Sequence, residues 1–132
     1  ISMGANPNHA IKTILAAESY RGPSIIIANS HCIAHGINMT LGMEIQKAAT
    51  ECGFWPLYTY DPREEVHPFK LASKKPTGDY KEFALNQNRF RMLKRTNPEA
   101  ADRLLEEGQQ DINERWHYYE ALAQVEHLAS EE

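Results

Sequence analysis

Gly22-Pro23-Ser24-Ile25-Ile26-Ile27-Ala28-Asn29-Ser30-His31-Cys32-Ile33-Ala34-His35-Gly36 is the stretch on which the reading of this chain turns. Gly22-Pro23 is a turn signal that stops whatever precedes it. Ile25 to Ile27 are three β-branched residues in succession with no polar alternation. They read as a strand covered on both faces, as in a parallel sheet flanked by helices. Past its carboxyl end come a hydroxyl, two imidazoles and a thiol, closed by a glycine. Ligands gather at that edge of open α/β sheets, where a rigid strand presents an accessible loop. The residues alone leave two readings open: a functional loop, or a packed polar strand end in which Cys32 is a small buried hydrophobe. A self-contained structural zinc is disfavoured, because four ligands in two spaced pairs are the common pattern and no second pair occurs.

Composition bounds the rest. At 132 residues the chain is long enough for one domain with a real core. Its formal net charge of −4 argues against nucleic acid as a partner, since that would need a basic face. No apolar run approaches the ~20 residues that span a bilayer, and no signal peptide opens the chain. Cys32 and Cys52 do not make a disulfide framework, which points to a reducing, cytoplasmic setting. Ile1 is the first residue, and Ser2-Met3-Gly4-Ala5-Asn6 reads as the end of a strand entering a helix, so the chain is expected to be a piece of something longer.

Asn6-Pro7 is a helix start, with Ile11, Ile14 and Leu15 on one face. A second helix is expected after Gly42, with Met43, Ile45, Ala48, Ala49 and Cys52 inward and Gly53 as its stop; Cys52 reads as an inert buried thiol. Phe54 to Tyr60 is extended in character, and Pro56 makes it an edge or bent strand. The stretch 61–79, with Pro62, Pro68 and Pro76, reads as an extended arm or a long surface loop. Asp79 caps a short helix; Asn88 to Lys94 is a basic helix read as a solvated face or, more sharply, as a contact for an acidic redox partner. Asn97-Pro98 opens a final helix whose Leu104, Leu105, Gly108, Ile112, Trp116, Tyr119 and Leu122 form one apolar stripe.

Several strings, in order, resemble a known family. They are Ser2-Met3-Gly4, Glu18-Ser19-Tyr20 before Gly22-Pro23-Ser24, Ser30 to Gly36, Gly53-Phe54-Trp55-Pro56-Leu57-Tyr58 with Tyr60-Asp61-Pro62, Pro68-Phe69-Lys70-Leu71 with Ser73-Lys74, and Arg89-Phe90. Together they resemble the C-terminal region of pyruvate:ferredoxin (or flavodoxin) oxidoreductases, over nearly the whole chain. The resemblance implies an α/β fold: residues 1–60 as the C-terminal half of a thiamine-diphosphate-binding domain, its sheet flanked by helices; 61–79 as an extended arm; 80–132 as a helical C-terminal extension. It implies an enzyme that oxidatively decarboxylates pyruvate with coenzyme A to acetyl-CoA and CO2, passing electrons through [4Fe–4S] clusters to ferredoxin or flavodoxin. By the family pattern Cys32 is the fourth ligand of the cluster nearest the thiamine, its companions belonging to the rest of the parent polypeptide, and the full enzyme is a homodimer. His31 and His35 are not ligands in that pattern; they are ordinary loop histidines or shape polarity near the cluster. The Gly-Asp-Gly and Asn that hold magnesium and thiamine diphosphate do not occur in these residues, so the chain by itself is expected to be inert. Thr59 stands where the family pattern has Arg, and the connection from Asp61-Pro62 to Pro68-Phe69 is shorter. Two further readings stand beside this one: a non-catalytic α/β interaction module, and a related oxidoreductase acting on a different 2-oxo acid.

Overall fold

Local capping chemistry places the helices. In the computed structural model, which describes residues 1–126, helix α1 spans Pro7–Ser19, and Asn6 accepts a hydrogen bond from the His9 backbone N–H ahead of it. Helix α2 spans Gly42–Glu51. Strands β1 (Tyr58–Tyr60) and β2 (Phe69–Leu71) follow, then α3 (Tyr80–Leu85), α4 (Asn88–Thr96) and α5 (Pro98–Leu122). Asp79 caps α3 by accepting from the Lys81 and Glu82 N–H groups. Asn97 serves two helices: its N–H closes α4 on the Leu93 carbonyl at 2.7 Å, and its side chain accepts from Ala100 to open α5. Among the described residues no helix is long and apolar enough to cross a membrane.

The two strands pair antiparallel, Tyr58 opposite Leu71 and Tyr60 opposite Phe69. The stretch expected as an arm thus folds back on the aromatic segment before it. The turn is pinned by Asp61, which accepts from the Arg63 backbone N–H at 3.0 Å and from its guanidinium, while the same guanidinium donates to Ser19 Oγ at 3.1 Å and to the Ala16 carbonyl. One arginine therefore ties the hairpin to the end of α1.

Ile25–Ala28 departs from expectation. It joins no ladder beyond a single rung, and Ile25 is 89% exposed rather than covered on both faces. In that rung the Ile1 amine donates to the Ile27 carbonyl at 2.8 Å and the Asn29 N–H donates to the Ile1 carbonyl at 2.9 Å. Two bonds in that sense set Ile1 opposite Ala28 in parallel register, across α1. β-Branched residues favour a strand, but a ladder needs a neighbouring backbone, and only Ile1 provides one among the described residues. The expected inward face of α1 is corrected likewise: Ile11, Ile14 and Leu15 are exposed, and Ala10 is the buried residue of that helix.

The core lies between α2, α3 and α5. Ala49, Cys52, Tyr80, Phe83, Ala84, Leu105 and Ile112 form one buried cluster with Ile45, Phe54 and Trp55 packed against it. Phe54 sits on Phe83 (centroids 5.2 Å) and stacks with Tyr80 (6.2 Å). Gly53, at φ +79°, ends α2 as its sequence position predicts, and a Cβ there would meet Pro76 and Ile112. Met43 and Leu104, expected inward, are exposed, and Ala101 completes the buried stripe of α5 instead. A second aromatic group, Tyr58, Phe69 and Tyr119, fastens the hairpin to α5.

Phe83→Ala is expected to cost ~3–5 kcal/mol of unfolding free energy, read as a lower urea midpoint, because it empties the centre of this cluster. Arg63 beside Asp61 holds that carboxyl at about 2, below its ordinary 3.8. A carboxylate whose pKa is depressed by folding stabilises the fold above its ordinary value and ceases to do so once protonated. The stability gap between the chain and Asp61→Asn should therefore be level above pH 3.8 and close as pH falls toward about 2. It should be small, since the pair is partly solvated.

Candidate functional site

The loop of residues 29–36 is held at four points. Asn29 holds the Ile1 carbonyl, as above. At the far end Gly36 adopts φ +65°, and a Cβ there would lie 2.5 Å from Asn88 Cβ at the start of α4. The Gly36 carbonyl accepts from the Asn88 N–H at 3.2 Å. In the middle, His31 Nδ1 lies 3.0 Å from Gln46 Nε2 of α2. His35 Nε2 takes a 3.2 Å contact from Arg89 Nη1, and since a guanidinium only donates, His35 accepts there.

Cys32 stands between these anchors. It is half-buried and precedes a single 3₁₀ turn, Ile33–His35, closed by the His35 and Gly36 N–H groups on the Cys32 and Ile33 carbonyls. The N–H groups of Ile33 and Ala34 make no hydrogen bond among the described residues, so two donors stand beside the thiol. Ile33 itself is 72% exposed. The loop with α2 and α3 encloses a cavity of about 50 Å³ whose lining includes Cys32, His31, Gln46, Phe54, Phe83 and Gln87. That holds a few water molecules at most. Gln87 is buried with its Oε1 unpartnered among the described residues.

The other thiol is placed for a different life. Cys52 is 1% exposed, its Sγ lies 3.5 Å from the Ala49 carbonyl, and burial pushes its pKa up. A thiol kept protonated in apolar surroundings is inert. Among the described residues no three or more His, Cys, Asp or Glu side chains converge into a metal site. Any metal group held by Cys32 would need its remaining ligands from outside these residues. The donor set nonetheless fits one corner of an iron–sulfur cluster: a half-buried cysteine on an anchored loop, followed by two amides without acceptors among the described residues.

Sequence reading picked out this loop but not its supports. Gln46 is a polar residue on an otherwise solvated-looking helix turn, and no local pattern announces that it is 6% exposed and points its amide at His31. Asn88 was visible only as part of a basic helix, and Arg89 as part of that helix and of a string shared with the family, neither as a support of the loop. Of that helix's basic residues, Lys94 is engaged by Asp102, whose carboxyl it holds below the ordinary range, and Arg89 by His35.

No protein-family model matches the chain. It is 47% identical over 126 residues to the pyruvate-flavodoxin oxidoreductase of Trichormus variabilis, and 40% identical over 127 residues to the pyruvate:ferredoxin oxidoreductase of Moorella thermoacetica. These alignments take in 93% and 94% of this chain but 11% of each relative. A mitochondrial pyruvate dehydrogenase [NADP(+)] of Euglena gracilis is 38% identical over 122 residues, 89% of this chain and 7% of that protein. The chain thus spans about a tenth of the length of the curated relatives it matches, and over that span it matches a fragment of pyruvate-flavodoxin and pyruvate:ferredoxin oxidoreductases.

Gly36→Ala should destabilise the chain by at least ~1–2 kcal/mol in urea unfolding, because a side chain at positive φ is strained and this one also strikes Asn88.

Proposed function

We propose that this chain, homologous over 93% of its length to a segment of pyruvate-flavodoxin oxidoreductases, works as that segment of a parent enzyme, in which Cys32 is one thiolate ligand of a [4Fe–4S] cluster. The reaction is oxidative decarboxylation. Pyruvate's C1–C2 bond breaks, CO2 leaves, the acetyl carbon forms a thioester bond with the coenzyme A sulfur, and two electrons pass to ferredoxin or flavodoxin. Thiamine diphosphate with magnesium, held by other parts of the parent chain, supplies the electron sink for the cleavage, and the clusters carry single electrons outward.

The contribution of these residues is structural and electrostatic. Cys32 offers a thiolate on a loop whose position is set by Ile1, α2 and α4. The Ile33 and Ala34 amides are free to donate to sulfur, which raises a cluster's potential by stabilising its added negative charge. The observation that carries the reading is the pairing of extensive identity to these enzymes with the half-buried thiol at the anchored loop. Cys52, at 1% exposed, lacks the accessibility.

The same reading assigns residues 1–60 to the C-terminal half of a thiamine-diphosphate-type α/β domain, 61–79 to an arm and 80–132 to a helical extension, of which 127–132 lie outside the described residues. The parallel rung between Ile1 and Ala28, formed across α1, supports it, because strand–helix–strand crossovers with parallel strands build such sheets. The exposed isoleucines at 25–27 then face neighbours from the rest of the parent polypeptide. Cytoplasmic location and a homodimeric full enzyme belong to this proposal too.

Purification of the full-length enzyme under anaerobic conditions, as wild type and as Cys32→Ser, tests the assignment. The variant should lose about four irons per chain and one cluster signal in electron paramagnetic resonance. Its pyruvate-dependent reduction of ferredoxin or flavodoxin should fall by more than about tenfold, the low end of what even an outer partner of a metal site costs. Unchanged iron and an unchanged signal set would refute the role of Cys32. Cys52→Ala should retain every cluster.

A further inference from the structure

We infer that Gln46 is a positioning residue for the Cys32 loop, acting through the ring of His31; the inference rests on the reading of Cys32 as an iron ligand. The orientation of the Gln46 amide follows from its partners. Gly4 N–H lies 2.9 Å from Oε1 and can only donate, and the Ser2 hydroxyl donates to the same oxygen at 3.2 Å. Oε1 is thereby fixed as the acceptor facing the N-terminal turn. Nε2 is then the atom 3.0 Å from His31 Nδ1, and it must donate.

His31 Nδ1 therefore accepts, which places the ring proton on Nε2. The position of the ring is also confined from its other side. A Cβ at Gly42 would fall 2.3 Å from His31 Nε2 and 2.5 Å from Cε1, so the imidazole is wedged between the first residue of α2 and the Gln46 amide. The clamp is buried at Gln46 (6% exposed) and at Ser2 (1%). A Cβ at Gly4 would strike the Met43 carbonyl at 2.4 Å, which shows how closely the turn sits on α2. His31 precedes Cys32 directly, so the peptide that carries the thiol inherits the ring's position. Through one side chain, α2 and the turn at residues 2–4 hold the sulfur's backbone in place.

Two substitutions separate this role from general support. Gln46→Glu keeps an oxygen for Ser2 and Gly4 but presents an acceptor to His31 Nδ1. Gly42→Ala leaves Gln46 untouched and displaces the ring from the opposite side, at a backbone conformation that alanine adopts freely (φ −57°). Each is made in the full-length enzyme, purified anaerobically beside Cys32→Ser, with iron content, midpoint potentials and paramagnetic line shapes recorded. Both variants should keep all their iron and alter the potential and line shape of one cluster, the one that Cys32→Ser removes. Full iron with all signals and potentials unchanged in both would overturn the role of Gln46, even where Cys32→Ser loses its cluster. Retention of every cluster in Cys32→Ser would instead remove the reading underneath, and this inference with it.

Discussion

A single amide with no freedom of orientation governs the geometry of the loop. Because the Gly4 N–H can only donate, Gln46 must turn its oxygen to residues 2–4 and its nitrogen to His31. Three pieces of chain far apart in sequence meet at that side chain: the turn before α1, the body of α2 and the residue ahead of Cys32. A buried amide is stabilising only when its groups are satisfied; left unpaired, each would cost ~1–3 kcal/mol. Here both ends of the Gln46 amide find partners, and the arrangement is correspondingly specific.

Around that clamp the molecule divides into a packed side and an open side. The packed side holds Cys52, Phe83, Tyr80 and Ile112 between α2, α3 and α5. The open side carries Ile11, Ile14 and Leu15 of α1 together with Ile25 to Ile27, all exposed. Cys32, half-buried, lines the cavity beside α2 and α3, on a loop held to the packed side by Gln46 at His31 and by Asn88 at Gly36. Such a thiol suits a ligand shared with other polypeptide, whereas Cys52 is sealed in.

What was legible in the sequence was local. Asn6-Pro7, Asp79 and Asn97-Pro98 announced their helices because a cap and its donors lie within three residues of one another. The stripe of α5 was legible by periodicity, apart from Leu104, which faces out. The pairing of β2 with β1 was not: Phe69-Lys70-Leu71 sits among prolines, and it is a strand through its ladder with β1 and the packing of Tyr58 and Phe69 on Tyr119. Ile25 to Ile27 misled for a related reason, since β-branched residues state a preference that a neighbouring backbone must complete. At the site, Cys32 and its histidines stood out by chemistry, while Gln46 and Gly42 matter through distances that no spacing rule encodes.

Crystals of the intact enzyme, measured at the iron absorption edge, address the central assignment most directly. The account predicts anomalous density for a four-iron cluster within bonding distance of Cys32 Sγ, with the Ile33 and Ala34 amides turned toward its sulfurs. Cys32 Sγ packed against carbon atoms, with all iron held by cysteines elsewhere in the polypeptide, would contradict it.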